Sequence, residues 1–319
     1  MRPSRNEPRR NVPSSKKEVL PDDLREMREL VASLAQSGEL AEYDHRIARL
    51  ILPNIRLKTA PTAEMNLNIG ASKFGGVPDL PEPMMWPRKS GKPFAFLCQI
   101  NLGELPPVLR GFPRKGLLSF FLDMHAFDDA KGKPRDHDSW RVLYFSDEGL
   151  VHKRVVPPAD LSHKFAAAAI TPTAGFSLPP FESREVEGLD LGVCDVDPYF
   201  SLLDKFHEAQ GMKESEPHHW LGGYPDQLGG DVRLECALAE AGFWKGSDDW
   251  SEQQDERALA DAGNWRLLLQ VDSSPDDGMD WSGGGMLYFG ARAVEINAGH
   301  FDKAQLVSQS AGQGEDSIG

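Results

Sequence analysis

The chain has 319 residues, 40% hydrophobic and 26% charged, the composition of a soluble globular protein long enough for one large domain or two ordinary ones. A formal net charge of −14 argues against nucleic-acid binding, which needs a basic surface. Cys98, Cys194 and Cys236 are widely spaced, form no C-x-x-C pair and read as reduced thiols of a cytoplasmic protein.

Residues 1–19 read as a disordered basic leader. Within residues 1–17, Arg2, Arg5, Arg9, Arg10, Lys16 and Lys17 stand against Glu7; six bases and one acid give +5 and leave −19 for the remainder of the chain. No apolar run follows it as in a secretory signal, and Pro3, Pro8 and Pro13 break any amphipathic helix. The most apolar stretch, Phe165 to Ile170, is far short of the roughly 20 residues a membrane span needs.

Residues 20–53 form a helical segment. Leu24, Met27, Leu30, Val31 and Leu34 share a helical face that Gly38 ends, and a second helix is expected over 39–52. A first β-rich repeat follows over 54–196. Ile55, Leu57 and Thr59 alternate as in a half-buried strand. Residues 75–93 carry so many Gly and Pro that an extended loop without regular elements is expected, pinned by Trp86. Strands are expected at 94–100, 116–123, 140–146, 150–156, 164–170 and 184–190, with a polar loop at 131–138. A second β-rich repeat spans 197–310. In it Asp197-Pro198 starts a helix to about Gln210, and helices are expected at 231–241 and 251–262, the last with a Ser251/Gln254 capping box. Residues 311–319 read as a flexible tail.

Three elements recur in the same order. Gly75-Gly76-Val77-Pro78-Asp79 matches Gly222-Gly223-Tyr224-Pro225-Asp226; Phe96 to Asn101, with Gln99, matches Leu267 to Asp272, with Gln270; Gly116 to Phe120 matches Gly285 to Phe289. From the first Gly to the Gln is 24 residues in the first half and 48 in the second, so the second carries an insertion. The fold expected is α+β: a mostly antiparallel β-rich core from an internal duplication, as two similar lobes, with N-terminal helices and helical insertions in the second half.

The stretch Ser72 to Pro81, Trp86-Pro87 and Phe96 to Leu102 resembles the YwqG-like family of bacterial proteins, domain of unknown function family 1963. Gly116 to Asp123, Trp140 to Val142, Leu221 to Asp226, Leu267 to Ser273, Gly285 to Phe289 and Phe301 to Gln309 extend the resemblance across roughly residues 55–310. It implies a cytoplasmic α+β protein dominated by antiparallel sheet, and it brings no established activity. After the second Gln strand, Ser274 replaces an acid usual in that family, which weakens a metal reading of that loop.

The Gln pair is the leading candidate for function, because a buried amide must be satisfied. Either both amides line a pocket between the repeats or each bonds a neighbouring loop backbone. Asn101 and Asp272, two residues on, share the strand face. An inter-repeat cleft of Trp86, Gln99, Asn101, Tyr224, Asp226, Gln270 and Asp272 is the ligand site expected. The Gly-Gly loops lack the Lys-Ser/Thr of a phosphate loop and suit tight turns of positive φ. His218 and His219 are adjacent, so a strand would turn them to opposite faces. The groups Asp123/His125/Asp128/Asp129 and Asp272/Asp276/Asp277/Asp280 lack metal-site spacing, so no metal or cofactor is expected. No G-x-S-x-G elbow is present, and Cys98 lies in an apolar strand. The function expected is an intracellular, non-catalytic binding or protein-interaction module, with another protein as partner and neither nucleic acid nor membrane. The alternative is a hydrolase-type enzyme with an Asp/His site between the repeats, with or without a metal.

Overall fold

The computed structural model describes residues 22–130, 136–146, 152–213, 215–243 and 251–310. The expected leader, the tail and Lys131 to Pro134 of the polar loop lie outside them. In chain order the elements are α1 (Asp22–Ser37), α2 (Asp44–Leu50), β1 (Leu52–Pro61), β2 (Lys73–Phe74), β3 (Asp79–Pro81), β4 (Arg88–Lys89), β5 (Lys92–Pro93), β6 (Ala95–Asn101) and β7 (Leu117–Leu122). Then come α3 (Met124–Asp129), β8 (Trp140–Phe145), β9 (His152–Arg154), β10 (Ala168–Ser177), α4 (Arg184–Glu187), α5 (Val196–Ala209), β11 (Trp220–Leu221) and α6 (Val232–Glu240). The chain closes with α7 (Glu252–Ala262), β12 (Trp265–Asp272), β13 (Met286–Arg292), α8 (Ala293–Ala298) and β14 (Gln305–Gln309).

Ten strands form one antiparallel sheet in the order β14-β13-β12-β11-β1-β10-β2-β6-β7-β8. The order reads alike from both ends. At its centre β1 and β10 pair along ten residues, Leu52 opposite Ser177 through Pro61 opposite Ala168. Outward from them lie two wings. Corresponding residues face corresponding residues: Gln99 opposes Lys73 and Ser119, and Gln270 opposes Trp220 and Tyr288. Each Gln strand has its register shift at the same place, between Phe96 and Cys98 and between Leu267 and Leu269. What was expected as two lobes is therefore two wings of a continuous sheet.

The first strands are exchanged between the wings. Ile55 of β1 faces Leu221, while Ala168 of β10 faces Phe74. Leu221 and Phe74 are the matched residues that precede the two Gly-Gly pairs. So β10 stands in the second set where β1 stands in the first, and each completes the other set's sheet.

Strands buried on both faces need cover on both. The inner faces of both wings meet in a shared core, where the matched Phe120 and Phe289 pack edge to face at 5.0 Å. The two edges of the sheet also approach: Trp140 Nε1 donates to the Ala304 carbonyl at 2.7 Å, and Tyr144 packs on Phe301. The outer faces are covered differently. Leu80, Trp86 and Phe94 of the Pro-rich loop cover the first wing over Phe96 and Phe121. Helices α6 and α7 cover the second, with Cys236, Leu238 and Ala258 over Trp220, Trp265 and Tyr288. A third apolar cluster joins α1, α2 and α5 through Val31, Ile47, Leu202 and Phe206.

Four local expectations change. Residues 184–190 contain α4 rather than a strand, because the Ser183 hydroxyl accepts the Val186 N–H and caps a helical turn. The second helix is short: a 3-10 turn at Ala41–Tyr43 leads into α2, and Leu52 is already strand. The Gly/Pro-rich loop is not devoid of regular elements; it holds β3, paired with β9, and the β4–β5 hairpin. At α5 the N-cap position belongs to Asp195, not Asp197.

Candidate functional site

Both Gly-Gly pairs turn with positive φ: 55° and 69° at Gly75 and Gly76, 67° and 68° at Gly222 and Gly223. A Cβ on Gly75 would fall 2.0 Å from the Ala166 carbonyl oxygen, so a side chain is excluded on steric as well as torsional grounds. Beyond each pair, the aspartate loop is fastened to the Gln strand in the same way. Gln99 Oε1 accepts the Asp79 N–H at 2.9 Å, and Gln270 Oε1 accepts the Asp226 N–H at 2.8 Å. Each Nε2 donates at 2.8 Å to a main-chain carbonyl, that of Ala71 or that of His218. Both glutamines are fully buried. The amides thus brace the loops, the second of the two roles the sequence left open.

Around the first loop the charges form a closed network. The Lys73 ammonium lies 2.7 Å from Glu64 and 3.3 Å from Asp79. Arg154 Nε lies 3.0 Å from Glu64 and 3.3 Å from Asp79, and its two Nη atoms donate to the carbonyls of Glu64 and Leu67. The side chains of Lys73 and Asp79 are 0% exposed, so breaking this pair by removing either partner would leave a buried charge poorly compensated. Burial alone would raise the Asp79 pKa. The Gly70 N–H, Lys73 and the Gln99 amide outweigh it and hold the carboxyl below its ordinary range.

Among the described residues no lysine or arginine is ion-paired with Asp226. Asp226 Oδ2 lies 2.6 Å from His218 Nδ1, with side chains 29% and 17% exposed. The His218 N–H donates to Asp272 Oδ2 at 2.8 Å, so one residue holds both carboxylates. Its ring stacks on Trp220 and meets His207 of α5 edge-on at 6.1 Å. Burial would lower the His218 pKa, but the hydrogen bond to Asp226 and then the charges of Asp226 and Asp272 carry it above its ordinary value. Burial lowers that of His207 and raises that of Asp272. His219 points the other way, against Phe74 at 4.4 Å. Its Nδ1 accepts the Asp272 N–H at 3.0 Å, the place that the Ser72 hydroxyl fills for Asn101 in the first set. Burial, helped by His218, pushes its pKa down to about 3.

The seven residues expected to share one cleft divide among three surroundings. Asn101 joins Gln99 on the first loop by donating to the Gly70 carbonyl. Asp226, Gln270 and Asp272 converge with His218 on the second. Tyr224 is buried beside them, its N–H on the Ser177 hydroxyl and its ring under Arg233. Trp86 stands apart in the cover of the first wing, its indole donating to the Phe94 carbonyl. Among the described residues no hydrogen bond or ion pair joins the Gln99 group to the Gln270 group. Glu64, Lys73, Arg154 and His207 were not anticipated. A lysine directly before the apolar Phe74-Gly75 turn was the one available signal.

Among the described residues no group of three His, Cys, Asp or Glu side chains is placed to hold a metal ion. His125 and His163 both contact the Ser162 hydroxyl, at 3.3 and 3.0 Å, on an exposed loop. Burial raises the Cys98 and Cys236 thiols, and Cys194 is exposed. No helix of the described chain is long and apolar enough to cross a membrane. Residues 72–309 match the family model described as Domain of unknown function (DUF1963). No curated protein matches the chain.

Proposed function

The chain belongs to the DUF1963 family, and we propose that it is a non-catalytic, cytoplasmic binding protein whose partner is another protein. One observation carries this reading. Met65, Ile69, Met84, Met85 and Val156 are 86, 57, 39, 80 and 84% exposed, and all lie on segments tied to the first Gly-Gly loop. Arg154 bonds the 64–67 turn, Val155 bonds Pro78, and Met84 bonds Pro81. Large exposed apolar side chains on segments fastened to an ion-paired base favour a contact surface, and methionine adapts to the shape of what it meets. A photo-crosslinking residue at position 85 tests it in the producing cell. A discrete protein adduct that disappears when Met65→Asp is added is expected. Absence of any adduct, or adducts indifferent to that change, would overturn the reading.

A second reading, hydrolysis through His218 and Asp226, is favoured by their 2.6 Å contact, the orientation a general base requires. His218 Nε2, the atom that would take the proton, is buried and without a partner. Turnover of chromogenic ester or phosphoester substrates that is lost in His218→Asn would favour this reading over the first.

We also infer that the two wings descend from one duplicated unit. The matched registers, the matched irregularities and the meeting of Phe120 with Phe289 support it. On this reading β10, the counterpart of β1, belongs to the second unit, which would then include residues from Ala168 onward.

A further inference from the structure

Three features outside the proposed contact surface bear on function: an open cleft between α1 and α5, the exposed His125–Ser162–His163 group, and the His218 corner. The cleft, of about 470 Å³, is lined by Leu34, Leu202, Cys194 and Lys205 together with Glu39 and Asp197, a mixed lining that singles out no ligand chemistry. The Ser162 hydroxyl is contacted by two imidazoles, but it sits on an exposed loop with no donor set placed around it. The His218 corner differs, because its members converge and its matched counterpart in the same molecule is built from other chemistry.

We infer that the second Gly-Gly loop is held by a proton-dependent latch, in which charged His218 bridges Asp226 and Asp272 and loss of its proton loosens residues 222–228. The imidazole reaches Asp226 from Nδ1, and its own main chain holds Asp272. Beyond the effect of burial, the charge of Asp226 raises the Asp272 carboxyl and a positive His218 ring opposes it. Every neighbouring element supplies a group. From α5, His207 faces the ring, with Asp204 and Arg56 of β1 acting on His207. The main chain of Lys213 favours the charged ring, and the Lys213 and Lys58 side chains are engaged by Glu216. From β11, Trp220 stacks. Burial keeps His207 toward its neutral form, so it does not replace the charge that His218 loses.

Deprotonation leaves the Nδ1–H on Asp226 and removes the positive charge. Asp226 keeps two main-chain anchors, its N–H to Gln270 and its carbonyl from the Tyr288 hydroxyl, and the loop is also held by the Tyr224 N–H on the Ser177 hydroxyl and the Leu228 N–H on Gln309. The loop therefore loosens without coming away. The sign follows from the raised pKa of the folded ring: the contribution is complete below about pH 6.5 and is lost as pH rises through the folded value. The first loop supplies the control, since Asp79 there is held by an ammonium and a guanidinium.

Hydrogen exchange of the full chain, read by peptide mass at about pH 6 and about pH 9 and corrected for intrinsic exchange, tests the latch. Protection of 222–228 should fall by a few-fold up to about tenfold relative to 75–81. An equal response of the two loops would overturn the inference. His218→Asn keeps a neutral donor near Nδ1 and should abolish the difference; a variant that retains it would overturn the inference equally. The comparison of loops in the natural chain stands even where that variant folds poorly. Its failure leaves the contact surface around Met85 untouched, since that surface rests on the other wing.

Discussion

The two Gly-Gly loops have matched turns, matched glutamines and matched register, yet their aspartates live in opposite conditions. Asp79 is sealed among an ammonium, a guanidinium and an amide. Asp226 stands partly open to solvent against one imidazole. Where the backbone frame is the same, the side chains that differ mark what each half is for. The first half puts permanent charge into rigidity beneath an exposed apolar surface. The second keeps a titratable corner whose state varies over the ordinary pH range.

Substitution of the buried lysine should break the comparison hardest. Lys73→Met leaves the two carboxylates of Asp79 and Glu64 to share the single guanidinium of Arg154 and should cost about 3–5 kcal/mol in urea unfolding. Acid comes next and strikes the other half. His219 is held neutral with a pKa of about 3, so stability should fall by roughly 1.4 kcal/mol per pH unit as pH drops below about 6.5. That slope should flatten in His219→Asn, since Ser72 fills the same role in the first half without titrating. Gln99→Leu and Gln270→Leu each orphan a loop N–H, and both should lose about 1–3 kcal/mol of unfolding free energy. A large inequality between the two would show that the frames are less alike than their hydrogen bonds. His218→Asn should be mildest, about 1 kcal/mol at neutral pH, because Nδ2 of asparagine replaces one hydrogen bond.

Much of the frame was legible in the sequence because the features that set it are local. Gly-Gly demands positive φ, and a Gln inside an apolar strand demands partners close by. The pairing of matched elements followed from their order. The exchange of first strands did not, because Leu52–Pro61 and Ala168–Ser177 share no motif and only their neighbours in the sheet reveal them as counterparts. Residues 184–190 misled because alternating Val186 and polar neighbours resemble a strand, whereas a single serine hydroxyl starts a helical turn. The candidate cleft was read from position along strands. The structure brings Asp226, Gln270 and Asp272 together, but position along strands could not reveal that the amides face inward to the loop backbone. Nor could spacing pair His218 with Asp226, eight residues on across a turn.

The exchanged strands have one more consequence. A chain of 319 residues with two similar halves would ordinarily be expected to unravel one half at a time. Here each half borrows its innermost strand from the other, and the two share a core closed by Phe120 on Phe289. Each half would lose the cover of its innermost strand if the other came apart, so the two are expected to unfold together. Melting followed by tryptophan fluorescence and by far-ultraviolet dichroism should trace one coincident transition, the calorimetric and van't Hoff enthalpies agreeing.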